Sequence, residues 1–239
     1  MTEERIALVT GANKGIGLAI ARQLAQAGVH VLIGARDEAR GTAAAAGLAA
    51  QGLGAEWIRL DLDDHATLAT AAALIEARHG RLDILVNNAG IFDPGDGAPG
   101  AASIAAVRRV IEVNFIGALA VTQAMLPLLR KASAGRIVNL ASSLGSLALN
   151  GDPGSTYYAQ RFIGYNASKA ALNMLTVQLH EVLKDSGIKV NSVSPGFVRT
   201  DLTGYGTMTP EEGARLPVHY ALHPDGSGLF VEPDGRTPW

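Results

Sequence analysis

What most restricts the fold of this chain is a repeated alternation of short apolar runs with segments of helical period. Ile6–Thr10, His30–Ala35, Glu56–Leu60, Ile84–Asn87, Arg136–Leu140 and Lys189–Ser194 are β-branched or leucine-rich and read as strands buried on both faces. Between them, Gly15–Ala27, Asp37–Gln51, Asp64–His79, Ser103–Arg130 and Tyr165–Asp185 carry apolar residues at helical spacing. Parallel strands need crossovers, and right-handed βαβ crossovers build one α/β domain: a Rossmann-like, doubly wound parallel sheet with helices on both faces. With 239 residues, 48% of them hydrophobic, residues 1–239 are enough for a single core of this kind. The tail beyond Gly204 offers one further helical patch near Pro210–Tyr220 and a strand at Leu229–Val231.

Composition removes several classes of function. The net charge is −2, and no basic run exceeds Arg108-Arg109 or Arg130-Lys131, so there is no cationic stripe for nucleic acid. Without cysteine there are no disulfides, thiolate nucleophiles or Cys-ligated zinc, a composition that fits the cytoplasm. Phe115–Leu129 is too short for a membrane span and is interrupted by Thr122, Gln123 and Pro127. Met1-Thr2-Glu3-Glu4 leads straight into the first apolar run, so no signal peptide is expected. His219 and His223, with Asp225, share a segment broken by Pro217 and Pro224, and no metal site is expected. No Gly-x-Ser-x-Gly elbow supports a hydrolase.

Two motifs carry chemistry. The first strand runs into Thr10-Gly11-Ala12-Asn13-Lys14-Gly15-Ile16-Gly17. Gly11 permits a tight turn, Gly15 brings backbone N–H groups near a phosphate, and Gly17 lets helix and strand pack closely. The helix N-terminus adds about half a positive charge there. Far downstream, Tyr165 and Lys169 are four apart and share one helical face in Tyr165-Asn166-Ala167-Ser168-Lys169.

In this order the two motifs, with the Gly11-x-x-x-Gly15-x-Gly17 spacing, resemble the short-chain dehydrogenase/reductase family, and the resemblance runs from residue 5 to about residue 203. It implies a catalytic set of Asn114, Ser142, Tyr165 and Lys169. Tyr165 would be the proton donor, Ser142 would hydrogen-bond the oxyanion, and Lys169 would bind the nicotinamide ribose and tune the phenol. Asn114 would hold a water on the path from lysine to solvent. Ser142 is preferred to Ser143 on the alignment of the strand and Gly145. An adjacent ammonium would lower the phenol pKa from about 10 by roughly 1–3 units.

The resemblance also implies an NADPH site made by Gly11, Asn13, Lys14, Gly15, Ile16, Gly17, Arg36, Asp61, Leu62, Asn88, Ala89, Gly90, Tyr165, Lys169, Pro195, Gly196, Val198 and Thr200. Asp61 is placed like the family's adenine-contacting acid, or else caps the helix beginning near Asp64. Asn87 and Asn88 satisfy strand ends first and line the cofactor second. An NAD enzyme usually puts an acid at the end of the second strand, where this chain has Ala35 followed by Arg36. Lys14 and Arg36 could meet a 2′-phosphate, with Asp37 a competing partner for Arg36 and Arg40 a solvated helix residue.

The expected partner is a small carbonyl compound or alcohol, with loops near residues 91–102, 144–164 and 200–222 shaping its site. Tyr157, Tyr158, Phe162 and Tyr205 are candidate pocket walls or simple packing. The stretch from Ser142 to Tyr165 is longer than the family's usual spacing and resembles its carbonyl-reductase subgroup, in which both oligomers and monomers occur. A non-catalytic NADP(H)-binding regulator and an NAD-dependent alcohol dehydrogenase are the alternative readings.

Overall fold

A computed structural model describes residues 4–239; Met1–Glu3, read above as a short lead into the first strand, lie outside the described residues. The strands are β1 (Arg5–Thr10), β2 (Val29–Ala35), β3 (Ala55–Arg59), β4 (Ile84–Asn87), β5 (Arg136–Leu140), β6 (Lys189–Val193), β7 (Leu229–Glu232) and β8 (Gly235–Arg236). They form one sheet in the order β3-β2-β1-β4-β5-β6-β7-β8, parallel throughout except for the antiparallel β7–β8 pair. The sequence did not reveal β8, whose two residues are too short to show any period.

Alternation along each strand divides the core into two layers. On β1, Ala7 and Val9 pack with residues of α1 (Gly15–Gln26), α2 (Glu38–Ala49) and α8 (Pro210–Leu222). Ile6 and Leu8 pack on the other face with α3 (His65–His79) and α5 (Ala118–Leu129). Strand order reverses between β1 and β4, which opens a crevice above their carboxyl ends.

Among the helical segments, the structure departs most from the expected elements in two places. The single helix expected over Ser103–Arg130 is α4 (Ile104–Ile111), a π turn (Glu112–Gly117) and α5. Gly117 lies against Leu62, where a Cβ would come within 2.9 Å of the leucine Cβ. Within the segment expected to be loop, a 3-10 turn (Ser143–Gly145) and α6 (Leu147–Gly151) precede α7 (Ile163–Leu183). Ser146 caps α6 by accepting the Leu149 N–H and donates its hydroxyl to the Pro238 carbonyl at 2.6 Å. The Trp239 carbonyl accepts the Ala148 N–H at 3.1 Å, so this segment is tied down by the end of the chain.

At the sheet edge, a Cβ on Gly41 of α2 would lie 2.0 Å from Trp57 Cδ1 on β3. Trp57 Nε1 donates to the Ala35 carbonyl at 3.1 Å, which holds the indole in place. Alanine is favoured over glycine in a helix by about 1 kcal/mol, whereas overpacking costs about 1–3 kcal/mol. Gly41→Ala is therefore expected to lower the urea midpoint at unchanged m-value; an equal or higher midpoint would mean that the indole moves aside without cost.

Candidate active site

The turn after β1 needs its glycines for two different reasons. Gly11 and Gly15 occupy the left-handed region, at φ 65° and 56°. Gly17 is helical but has no room: a Cβ would lie 2.4 Å from Asn88 Nδ2 and 2.6 Å from the Gly11 carbonyl. Asn88 Nδ2 donates to the Thr10 carbonyl at 2.7 Å, and Thr10 Oγ1 accepts the N–H groups of Asn88 and Ala89 at 3.0 and 2.9 Å. These bonds stitch the turn to the end of β4. Lys14 occupies the N-cap of α1 and makes no side-chain cap, so among the described residues no side chain caps the first N–H groups of the helix.

The crevice over this turn has a volume of about 680 Å³. Of the residues expected at the nucleotide, Gly11, Asn13, Lys14, Gly15, Ile16, Gly17, Arg36, Asp61, Leu62, Asn88, Ala89, Gly90, Pro195 and Thr200 line it, together with Tyr165 and Lys169. Val198 and Gly196 do not. Val198 is buried against Gly213, and the space beside Gly196 is filled by Met208, so only their backbones are open to a role there. Asn87 is structural, as expected: its Nδ2 donates to Thr122 and Asn139 inside the core. The capping reading of Asp61 is set aside, because Asp64 is the N-cap of α3.

Cations rim the open end of the crevice. Arg36 is 69% exposed, and its nearest carboxylate, Asp63, is 3.8 Å away. Lys14 Nζ meets Asp201 at 2.8 Å, both side chains being well exposed. Asp37 does not take Arg36; it caps α2 and pairs with Arg40 at 3.0 Å. Ala35 is buried and offers no side-chain acceptor at the end of β2.

The catalytic candidates converge at the inner end. Lys169 is 5% exposed, and its ammonium donates to the Leu140 carbonyl at 2.7 Å. That ammonium lies 5.6 Å from the centre of the Tyr165 ring. Ser142, two residues beyond β5, lies near enough to the Tyr165 phenol to favour its ionised form, and its Oγ accepts the Leu144 N–H at 3.2 Å. Ser143 is otherwise engaged, donating its one hydroxyl proton to Glu232, with the Ser194 hydroxyl at 3.2 Å from its oxygen. Asn114 is buried in the π turn; its Oδ1 accepts the Ile91 N–H at 2.7 Å, and its Nδ2 donates to the Ile91 carbonyl and Ser168. Both amide donors are thus spent on protein. A Cβ on Gly90 would come within 3.3 Å of Asn114 Oδ1 and 3.7 Å of Lys169 Nζ, so this glycine joins the group.

Electrostatics here correct one expectation. The Tyr165 phenol is not lowered but pushed up to about 12 by burial, a shift that nearby Ser142 only partly offsets. Burial likewise brings Lys169 down to about 8. Desolvation penalises the charged form of each and is the largest influence on both.

One positioning residue escaped the sequence reading. Asp96, in the 91–102 loop, accepts the N–H groups of Gly164 and Tyr165, each at 2.8 Å, and so caps α7 at the tyrosine. Phe92 from the same loop packs edge-on against Phe162 and Tyr165. Because the cap comes from another part of the chain, no local pattern announces it. Of the aromatic wall candidates, Tyr157 donates to Glu232 at 3.3 Å, and Tyr205 is 66% exposed against Phe197.

Comparison with known proteins agrees with this geometry. The family model described as "short chain dehydrogenase" matches residues 5–209. Short-chain dehydrogenase/reductase 1 of Saponaria officinalis is 36% identical, over 100% of this chain and 97% of its own length. Carbonyl reductase [NADPH] 1 of Macaca fascicularis is 35% identical, covering 92% and 91%. The crystal structure of NADPH-bound carbonyl reductase from chicken fatty liver superposes with a TM-score of 0.85 at 30% identity, over 99% of this chain and 100% of that one.

The buried pair predicts a pH signature in stability. Lys169 titrates at about 8 in the folded chain and at 10.5 when unfolded, so in that window the unfolded state binds the extra proton and stability rises with pH. Tyr165 acts oppositely: from 10 to about 12 the folded state keeps a proton that the unfolded state loses, and stability falls. Relative to Lys169→Met, the wild-type unfolding free energy should gain about 2 kcal/mol between pH 8 and 10. Urea titrations at each pH provide the test, and parallel profiles for the two proteins would refute it.

Proposed function

The chain belongs to the short-chain dehydrogenase family, and from that premise we propose that it is an NADPH-dependent reductase of a small aldehyde or ketone. The observation that carries this reading is the convergence of Ser142, Tyr165 and Lys169 at the inner end of a crevice whose outer end is a glycine turn with uncapped helical N–H groups. The carbonyl reductases among its relatives support the substrate class.

The crevice suits the dinucleotide. The α1 N-terminus, free of a side-chain cap, would take the pyrophosphate, and the close packing around Gly17 keeps other side chains out. Arg36 and Lys14 would hold the adenosine 2′-phosphate, Asp61 and Leu62 would flank the adenine, and Lys169 would meet the nicotinamide ribose. Pro195 and Thr200, with the backbone at Gly196 and Val198, would border the carboxamide. When bound, NADPH supplies the hydride that reaches the carbonyl carbon.

The residues of the chain manage the oxygen. Ser142 donates a hydrogen bond to it and stabilises the charge that develops. Tyr165 delivers the proton; with its pKa at about 12 the phenol is fully protonated at neutral pH, the form needed for reduction. Lys169, still mostly an ammonium at pH 7, favours the phenolate left behind. Asn114 fixes Ile91 and Ser168 behind the lysine and so holds this geometry.

Two experiments test the reading. Tyr165→Phe should reduce kcat on a good carbonyl substrate by about 10²–10⁴, the usual worth of a general acid, with NADPH affinity close to wild type. Retention of half the rate would mean that another group supplies the proton. For cofactor choice, Ala35→Asp combined with Arg36→Ser should reverse a preference for NADPH over NADH in kcat/KM. Equal efficiency with both cofactors in the wild type would remove the assigned role of Arg36.

A further inference from the structure

Opposite the crevice, at the amino ends of β2 and β3, a cluster stands apart from everything described so far. His30, the second residue of β2, Glu56, the second of β3, and His79, the last of α3, bring three potential ligand atoms within 4.8 Å of one another. Glu56 Oε1 lies 2.9 Å from His79 Nε2 and 3.6 Å from His30 Nε2. The two imidazole rings are 5.3 Å apart, tilted by 42°.

Two details distinguish this cluster from an ordinary ion pair. His30 Nε2 is sealed from solvent and has no hydrogen-bond partner among the described residues, although it points at a carboxylate oxygen just beyond bonding distance. Folded proteins rarely leave a buried polar atom in that state without a reason. Arg78 meanwhile grips the other oxygen, Oε2, at 2.7 Å, which orients the carboxylate and leaves Oε1 to the histidines. Outer-shell partners of metal-binding carboxylates do the same.

We propose that His30 Nε2, His79 Nε2 and Glu56 Oε1 form a binding site for a divalent transition-metal ion, with Zn²⁺ the best match. Two imidazoles and a carboxylate, with water in the fourth position, are an ordinary zinc donor set. Zinc–ligand bonds of about 2.0–2.1 Å put tetrahedral ligand atoms about 3.3 Å apart, and the two Glu56 contacts straddle that value. The metal takes the Nε2 lone pair of each neutral ring, each ring proton resting on Nδ1. The His79–Glu56 hydrogen bond is thereby exchanged for bonds to the ion. Bound there, the ion cross-links edge strand β3, its neighbour β2 and the end of α3. Its effect is on stability, and it is independent of the proposed reduction.

The test uses the full, untagged chain, stripped with chelator and titrated with ZnCl₂ by calorimetry, beside His30→Ala, His79→Ala and Glu56→Gln. His219→Ala serves as the control, because His219 stacks near His223 and pairs with Asp225 at 2.7 Å, offering zinc another surface cluster. Wild type should bind one equivalent, each of the three variants at least tenfold more weakly and the control unchanged, with Tm rising several degrees in excess zinc only where the site is intact. Should the variants misfold, zinc-dependent protection of His30 and His79 from carbethoxylation in the wild type, read by mass spectrometry, reports the same contact. No binding up to about 100 µM, no such protection, or binding lost in His219→Ala but kept in His79→Ala would overturn the proposal.

Discussion

The inner end of the crevice depends on one contact: the Lys169 ammonium bonded to the Leu140 carbonyl. It ties α7, which carries Tyr165, to the last residue of β5, two residues before Ser142. A buried cation would be costly without a partner, and a strand-end carbonyl, left over as the parallel ladder runs out, is a strong one. The approach is close enough to demand glycine at 145, where a Cβ would lie 2.7 Å from the Lys169 backbone carbon. The serine and the tyrosine are therefore brought together by packing that a single methyl group would prevent.

Much of this was legible in the sequence because it follows from local period and local chemistry. Strands buried on both faces read as continuous apolar runs, and β1 to β6 appear close to where the runs predicted. The glycine turn was legible too, since left-handed geometry at Gly11 and Gly15 leaves few other residues possible. The π turn was not. It differs from its flanking helices by a shift in hydrogen bonding that composition does not encode, although Asn114, a poor helix former in its midst, marks the place.

Long-range anchors were equally hidden. The start of α7 moved two residues ahead of the expected Tyr165 because Asp96 caps it from a distant loop. The segment after Ser143 gained structure from the carbonyls of Pro238 and Trp239, at the far end of the chain. The phenol pKa fails for a related reason: a Tyr-x-x-x-Lys pattern shows that a cation is near, but not that both groups are removed from water. Burial depends on the whole fold, and here it sets the direction of both shifts.

The outer rim follows the reverse logic, and the contrast matters for how the proposed cofactor would be chosen. Lys14 and Arg36 already face Asp201 and Asp63, but these are exposed pairs, and such pairs contribute about 0–1 kcal/mol. A 2′-phosphate carries nearly two charges and accepts hydrogen bonds on several oxygens, so it displaces a single solvated carboxylate readily. The carboxylates keep the cations oriented without competing strongly for them. Discrimination would then rest as much on Ala35 as on the cations, because its buried methyl gives a ribose 2′-hydroxyl nothing to bind. In this chain the catalytic end is positioned by burial and the cofactor end by exposed charge, so mutations at the first should disturb stability and chemistry together, while those at the second should alter ligand choice and leave the fold intact.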